Sequence, residues 1–161
     1  DDLPQHFVSS ETVSWVQLIL NSYQRTYGKE LIERSDSPVD EAIRVAKEQC
    51  AVISHDFLRD RSDPIYIYGN LKVLDLFEYT WEEFTNLPSR LCVATEEEGL
   101  LRRRFLDSTR SGTSDGERCH GVRVSRTGKL FRITDVLLWN LEDKEGAIVG
   151  QAAVFDEAIA L

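Results

Sequence analysis

The stretch that most constrains the fold of this chain runs from residue 63 to residue 90 and reads DPIYIYGNLKVLDLFEYTWEEFTNLPSR. Its β-branched and aromatic residues before Gly69 predict a short strand, and the glycine permits an abrupt change of direction. The side chain of Asn70 is suited to cap a helix that follows directly. Thr80 and Glu83 have the spacing of a capping box, so a second helix is expected to begin soon after the first one ends. This order predicts a compact segment that walls off a pocket.

Two further helices are predicted before this stretch. From Thr12 to Tyr27, apolar residues recur at alternating steps of three and four, which is typical of an amphipathic helix, and Gly28 is suited to end it. Ser37 as a cap and Pro38 in the first turn predict a second, shorter helix. The apolar stripe of the first helix packs either on the chain's own sheet or on a partner, and it consists of Val13, Val16, Leu20, Tyr23 and Tyr27.

The pattern of apolar residues changes from helical to alternating after Gly112. A helix that begins with the capping-box sequence at 95–98 is expected to end at this glycine. Alternation from Glu117 to Ser125, followed by turn residues at 126–129, predicts a β-hairpin. A second turn near Gly146 leads into a last strand. The C-terminal part is therefore expected to form a three-stranded antiparallel meander.

One residue interrupts the middle strand of this meander. Asp135 falls within a series of alternate positions that is otherwise apolar and is expected to share one face of the sheet, namely Phe131, Ile133, Leu137, Trp139 and Leu141. A carboxylate at such a position must mark a bulge, find a partner or face water.

The acidic balance of the chain limits its partners. Among its 161 residues 28 are acidic and 19 are basic, which gives a formal charge of −9. Because this charge repels nucleic acid and anionic membranes, direct contact with either is not expected. Arg102, Arg103 and Arg104 form a basic cluster. Glu98 precedes Arg102 by one helical turn, so we expect an ion pair on a solvated helix face.

Cysteine usage favours a reducing compartment. Cys50, Cys92 and Cys119 form an odd count without the spacing of a disulfide framework, and the sequence has no Asn-x-Ser/Thr acceptor. We therefore expect an intracellular location, cytoplasmic or nuclear. No apolar run approaches the length of a membrane span and no signal peptide is recognisable. Since the chain starts at Asp1 and lacks methionine, we expect it to be a piece of a longer polypeptide.

Four stretches are similar to the MEKHLA domain family, and the resemblance as a whole spans most of residues 1–155. They are VISHD at 52–56, the stretch at 63–90 quoted above, GVRVSRTGKLFRI at 121–133 and WNLEDKEGAIVGQAAVF at 139–155. The predicted order of elements also resembles the PAS fold, in which a five-stranded antiparallel sheet carries helices on one face. The sequence departs from the family pattern after residue 90, where Leu-Cys-Val replaces a run of the Ser-Ala type.

The resemblance implies a regulatory domain without catalytic residues. Similar domains stand alone in bacteria and algae, or end plant homeodomain-leucine-zipper regulators of transcription, where they are implicated in dimerisation. We therefore expect an α+β, PAS-like domain at 50–161 with an N-terminal helical extension at 1–49. Its expected function is sensing and protein interaction, with a homodimer or partner protein contacting the apolar stripe of the first helix.

A small cavity between the sheet and the helices is the expected ligand site, and an apolar molecule is the expected ligand. The candidate lining residues are Val52, Ile67, Val73, Phe77, Leu101, Phe105, Val122, Val124, Ile133 and Gln151.

A photosensor or redox sensor that binds flavin or haem is an alternative function. Cys92 and Gln151 lie roughly where light-sensing PAS relatives place the cysteine that bonds a flavin and an amide that contacts it. The asparagine- and arginine-rich motif that surrounds this cysteine in those relatives is missing here. Haem would need His55 or His120 as an axial ligand, so the expected cofactor set is none.

A zinc site is another possibility, because thiolates and imidazoles bind zinc. The candidate ligands are Cys50, His55, Cys119 and His120. Neighbouring residues on a strand point to opposite faces, so Cys119 and His120 would need a bulge to bind one ion. We therefore expect no metal.

A small enzyme with a cone-shaped, isomerase-like fold is the other alternative, with Asp135 as a buried base. The sequence has no Gly-x-Ser-x-Gly elbow, no phosphate-binding glycine loop and no HExxH helix. A strand bulge or an ion pair is the favoured role of Asp135, so no catalytic residue is expected.

Overall fold

An antiparallel sheet of six strands organises the computed structural model, which describes residues 3–112 and 118–161. Glu117, where a strand was predicted to start, lies outside the described residues. The strands are β1 Ala51–Asp56, β2 Ile65–Gly69, β3 Cys119–Val124, β4 Leu130–Glu142, β5 Ile148–Phe155 and β6 Ala158–Ala160. Their order across the sheet is β2-β1-β5-β4-β3, with β6 paired to β4. The predicted five-stranded antiparallel sheet and its meander are confirmed, and β6 is an addition.

Five α-helices belong to the described part of the chain: α1 Ser10–Tyr27, α2 Pro38–Lys47, α3 Leu71–Phe77, α4 Trp81–Phe84 and α5 Glu96–Ser111. Two 3₁₀ turns accompany them, at Gln5–Val8 and Ser89–Cys92. Of the helices that the structure describes, not one combines the length and the apolar character needed to cross a bilayer.

The predicted caps start these helices. Asn70 Oδ1 accepts the Val73 N–H over 3.2 Å, and Thr80 and Glu83 form the reciprocal capping box. At α5, Thr95 Oγ1 accepts the Glu98 N–H over 3.1 Å, but the Glu98 carboxylate does not return to Thr95. It accepts the N–H of Val122 over 2.7 Å instead, and so ties α5 to β3.

Each face of the sheet carries its own hydrophobic core. The outer face is covered by α1 and α2, and its core includes Trp15, Leu20, Val45, Val52 and Trp139. The inner face is covered by α3, α4 and α5, and its core includes Ile53, Phe77, Phe84, Ile133 and Phe155. The structure therefore has helices on both faces, because the N-terminal extension folds back over the side of the sheet that the predicted domain left open.

A bulge at Asp135 divides β4 between these two cores. The register with β3 shifts between Cys119 and Gly121, and Asp135 adopts a left-handed conformation with φ of 53°. Phe131 and Ile133 belong to the inner core, but Leu137, Trp139 and Leu141 pack in the outer core. The expectation of one shared face for these five residues was wrong, because the extra residue reverses the alternation.

A buried asparagine joins the extension to the domain. Asn70 is fully buried, and its Oδ1 accepts the N–H groups of Val52 and Val73. Its Nδ2 donates to the carbonyl oxygens of Val45 in α2 and Cys50 before β1. Because its four hydrogen bonds reach α2, α3, β1 and the residue before β1, this residue sets the positions of these three elements together.

Candidate functional site

A cavity of about 80 Å³ lies between the inner face of the sheet and α5. Much of its wall is apolar and comes from Ile53, Phe77, Phe105, Ile133, Val136 and Phe155. The polar part of the wall comes from His55, Tyr66, Arg102, His120, Arg123 and Gln151. The described elements thus enclose a small hollow that is apolar on most sides and holds several hydrogen-bond donors.

Arg102 is the most unusual residue of this wall. It projects from α5 with only 8 % of its surface exposed, and it donates a short hydrogen bond to the Ser89 hydroxyl. Among the described residues no carboxylate lies within ion-pair distance of its guanidinium. Burial lowers the pKa of Arg102, and the neighbouring charges of Arg123 and Arg103 add to the decrease.

The expected ion pair of Glu98 with Arg102 is not formed. Glu98 binds the Val122 N–H, and Arg102 turns inward to the cavity while Arg103 and Arg104 are exposed. The prediction of a solvated helix face holds for two of the three arginines. It was wrong for Arg102, because the helix turns that position towards the sheet together with Phe105.

Arg123 is a second cation on the same wall. It projects from β3, is half-buried, and its Nη1 donates to the carbonyl oxygen of Val122 over 3.2 Å. It likewise has no carboxylate within ion-pair distance among the described residues. The cavity therefore holds two positive charges in a chain whose net charge is −9.

His55 and Gln151 link the cavity wall to α5. His55 Nε2 lies 3.0 Å from Gln151 Oε1, so Nε2 carries the proton and donates it. Gln151 Nε2 donates to the carbonyl oxygen of Leu106 in α5 over 3.0 Å and to Asn140 Oδ1 over 3.2 Å. Burial and, after it, the positive charge of Arg102 together lower the pKa of His55 to about 3, so the ring is neutral at pH 7.

The structure brings four of the ten predicted lining residues to the cavity: Phe77, Phe105, Ile133 and Gln151. Val52 and Ile67 face the outer core instead, because Val52 alternates with the inward Ile53 and Ile67 lies in a bulge between β1 and β2. Val73 is in the inner core away from the cavity. The other three predicted residues, Leu101, Val122 and Val124, do not line it either.

Cys92 lies in the inner core and not on the cavity wall. Its side chain is fully buried in the 3₁₀ turn at Ser89–Cys92 and hydrogen-bonds with Tyr66. Burial raises the pKa of this thiol to about 11, so it stays protonated at neutral pH. Gln151, its proposed companion in flavin contact, does line the cavity.

The residues weighed for metal binding and catalysis are dispersed. Within residues 3–112 and 118–161 no three His, Cys, Asp or Glu side chains cluster closely enough to hold a metal ion. Asp135, the base of the enzyme alternative, is exposed at the bulge in β4 and is not part of the cavity wall.

The apolar stripe of α1 is packed against its own sheet. Val16, Leu20 and Tyr23 are almost fully buried in the outer core, and Val13 and Tyr27 pack at its edge. Tyr27 donates its hydroxyl proton to the carbonyl oxygen of Leu138 over 3.0 Å. These five side chains thus pack on the chain's own sheet, which is one of the two placements considered for them, and their contact with a partner stays a prediction. Homodimerisation itself stays a prediction.

Comparison with solved structures places the fold among PAS and light-oxygen-voltage (LOV) domains. A LOV domain studied with a flavin analogue has a TM-score of 0.55 and 17% identity, with 78% of this chain and 86% of that chain covered. An RNA-binding LOV receptor has a TM-score of 0.63 and 15% identity, with 82% of this chain and 35% of that chain covered. The PAS domain of a protein from Colwellia psychrerythraea has a TM-score of 0.56 and 12% identity, with 76% of this chain and 94% of that chain covered.

Sequence comparison gives the family. No curated protein sequence matches the chain. The family profile described as the MEKHLA domain matches residues 13–159, which include α1 from Val13 onward, α2 and every strand of the sheet except the last residue of β6. The predicted family and the PAS-like fold are therefore confirmed, and the chain belongs to the MEKHLA domain family.

Proposed function

We propose that this domain is a non-catalytic sensor that binds a small molecule in the cavity between the sheet and α5. The observation that carries the proposal is the composition of the cavity wall, where buried Arg102, His55 and Gln151 meet an otherwise apolar surface. Ligand sites in proteins typically combine apolar walls with a few convergent polar groups in this way.

The polar groups of the cavity favour binding over catalysis. None of the described residues in its wall is Asp or Glu, so paired carboxylates are not available there. Of the two histidines in the wall, His55 is the buried one; burial lowers its pKa, and its Nε2 donates its proton to Gln151. A general base needs a pKa near the operating pH, and burial moves the pKa of His55 well below it.

The dimensions of the cavity support a small ligand without a flavin or haem. Pockets for drug-sized molecules have volumes of about 300–1,000 Å³, whereas this cavity holds about 80 Å³. A tricyclic flavin ring does not fit this space. The thiol of Cys92 is also fully buried away from the cavity wall, so it is not placed to react with a bound ring.

Ligand occupancy can reach the rest of the protein through α5. This helix supplies Arg102, Phe105 and Leu106 to the cavity wall. It is held to the sheet by the hydrogen bonds from Gln151 to the Leu106 carbonyl and from Asn140 to the Thr109 carbonyl. A ligand that contacts the inner side of α5 changes the stability of these hydrogen bonds. Binding is thereby coupled to the position of the helix, as a sensor requires.

Native mass spectrometry of the purified protein tests this function. The expected result is a non-covalent adduct that is released on denaturation, and no visible absorbance. Ala153→Leu adds bulk to the cavity wall and is expected to abolish the adduct, whereas Ala94→Leu, at an exposed position, is expected to keep it. Equal occupancy in both variants, or a flavin-like or haem-like spectrum, would overturn the proposal.

A further inference from the structure

The charge of Arg102 has no counterpart in the described part of the chain. A buried arginine is nearly always paired, because an isolated charge loses its hydration without a compensating partner. Arg102 is more than nine-tenths buried, faces the cavity, and has the neutral Ser89 hydroxyl as its side-chain partner. Four of its five N–H donors are left for another group.

Other positive charges around Arg102 add to its need for an anionic partner. Arg123 contributes a second cation to the same wall, and Arg103 and Arg110 lie near enough to influence His55. Glu98, which precedes Arg102 by one helical turn, accepts the Val122 N–H instead of pairing with an arginine. The cavity is therefore a positive hollow within an acidic protein, and an anion entering it gains electrostatic energy that a neutral molecule does not.

We propose that the ligand is a small organic acid whose carboxylate binds the guanidinium of Arg102 and whose tail packs among Phe77, Phe105, Ile133 and Phe155. This inference rests on the proposed function, since it names the class of molecule that the same cavity binds. A guanidinium presents parallel N–H donors that match the two oxygens of a carboxylate. An inorganic anion satisfies the charge but leaves the four apolar side chains without contacts.

The volume limits the length of the tail. One water-sized group needs about 10–15 Å³ in the measure used for such cavities, so about 80 Å³ holds on the order of five to eight non-hydrogen atoms. Monocarboxylic acids from butyrate to hexanoate fall within this range. Long-chain fatty acids and tricarboxylic acids do not.

Binding of a carboxylate also has a signature at His55. The charge of Arg102 contributes to the low pKa of this imidazole, so an anion that neutralises Arg102 raises the pKa of His55. A neutral ligand of the same shape leaves that charge in place. The histidine ring, observed by NMR, therefore reports the charge of the occupant.

The test compares hexanoate with hexanamide, which has the same shape and no charge, by isothermal titration calorimetry on the complete chain. Hexanoate is expected to bind about tenfold or more tightly, since hydrogen bonds between charged groups are the stronger ones. Arg102→Met is expected to remove this preference, whereas Arg103→Met, at the exposed neighbouring position, is expected to retain it. Arg102→Lys keeps the charge and is expected to keep part of the preference if the methionine variant does not fold.

The outcomes separate this inference from the function on which it rests. Equal affinity for hexanoate and hexanamide, or an unchanged preference in Arg102→Met, overturns the carboxylate assignment and leaves a small-molecule sensor standing. Failure of both compounds to bind, together with an empty cavity in native mass spectrometry, overturns both proposals. Chloride or phosphate competing as well as hexanoate shows a simple anion site and overturns the role of the apolar tail.

Discussion

Among the described residues, the buried carboxylates of Glu41 and Asp56 each have an arginine partner, whereas buried Arg102 has no carboxylate beside it. Asn70 makes four hydrogen bonds, and Gln151 makes three. Glu41, also buried, would have a raised pKa from burial alone. Hydrogen bonds from Arg34, the Ser35 N–H and Gln17 outweigh this and lower it to about 2. Because these buried side chains are satisfied, a buried guanidinium that lacks an opposite charge among the described residues points to a role in the site and not in the fold.

The pH dependence of stability tests the burial of His55. In the unfolded chain its pKa is about 6.5, while burial lowers it to about 3 in the folded chain. The unfolded state therefore binds more protons between these values, and stability falls as the pH drops from about 6.5. At pH 5 the loss is about 2 kcal/mol in the free energy of unfolding.

His55→Gln is expected to flatten this part of the profile, as measured by urea denaturation between pH 7 and pH 4.5. His120→Gln, at an exposed position, serves as the matched control and is expected to keep the slope. A steep profile that survives in His55→Gln would show that other groups titrate in this window.

Among the elements, β4 is the one whose role differs most from its sequence pattern. Thirteen residues of regular alternation suggest one buried face, but the bulge lets the first part serve the inner core and the second part the outer core. The position was recognisable from Asp135 in an apolar series. The change from the inner core to the outer core along β4 was not recognisable, because a bulge is only one of three ways in which a strand accommodates a carboxylate.

Substitutions at Asp135 test this bulge. Its φ of 53° is tolerated by Asp and easily adopted by Gly, but it is strained for a β-branched residue. Asp135→Gly is expected to leave the free energy of unfolding within about 0.5 kcal/mol of the wild type, while Asp135→Val lowers it by about 1–2 kcal/mol. Arg132→Val, on the same strand outside the bulge, is the control in the same urea titrations. Equal stability of the two valine variants would contradict a left-handed residue at 135.

The caps and the glycine stops at element ends were predictable because they depend on neighbours in sequence. Ser37, Asn70 and Thr80 all cap the helices they were expected to cap, and Gly28 and Gly112 end theirs. The cavity wall was less predictable, because it depends on which residues of distant elements face each other. Arg102 lies three positions before Phe105 and so shares its helix face, but a charged residue on an apolar face is not distinguishable from a solvated one by spacing alone.

At the scale of the whole molecule, the N-terminal extension completes the domain. Trp139 donates its indole N–H to the carbonyl oxygen of Ile19 in α1, and Trp15 donates to the Ser54 hydroxyl in β1. Together with Asn70 these bonds tie the extension to three strands or strand ends. The sheet therefore presents its outer face to its own helices, and its inner face to the cavity.

Removal of a buried side chain from α1 tests whether this packing is internal. Leu20 is fully buried in the outer core, so Leu20→Ala is expected to lower the free energy of unfolding by about 2–5 kcal/mol. Leu100→Ala, where the side chain is 67% exposed, is expected to change it by less than about 0.5 kcal/mol. The mass in light scattering is expected to stay the same in both variants. A fall in mass for Leu20→Ala would assign this helix to an interface between subunits.

The most direct test of the central claim is a map of backbone amide chemical shifts during titration with hexanoate. The claim is that the hollow on the inner face, bounded by α5, is the sensory site. The account predicts that the shifted signals cluster at His55, Arg102, Phe105, Ile133 and Gln151, and that the signals of α1 stay in place. Shifts concentrated beneath α1 on the outer face, or scattered over the surface without saturation, would contradict it.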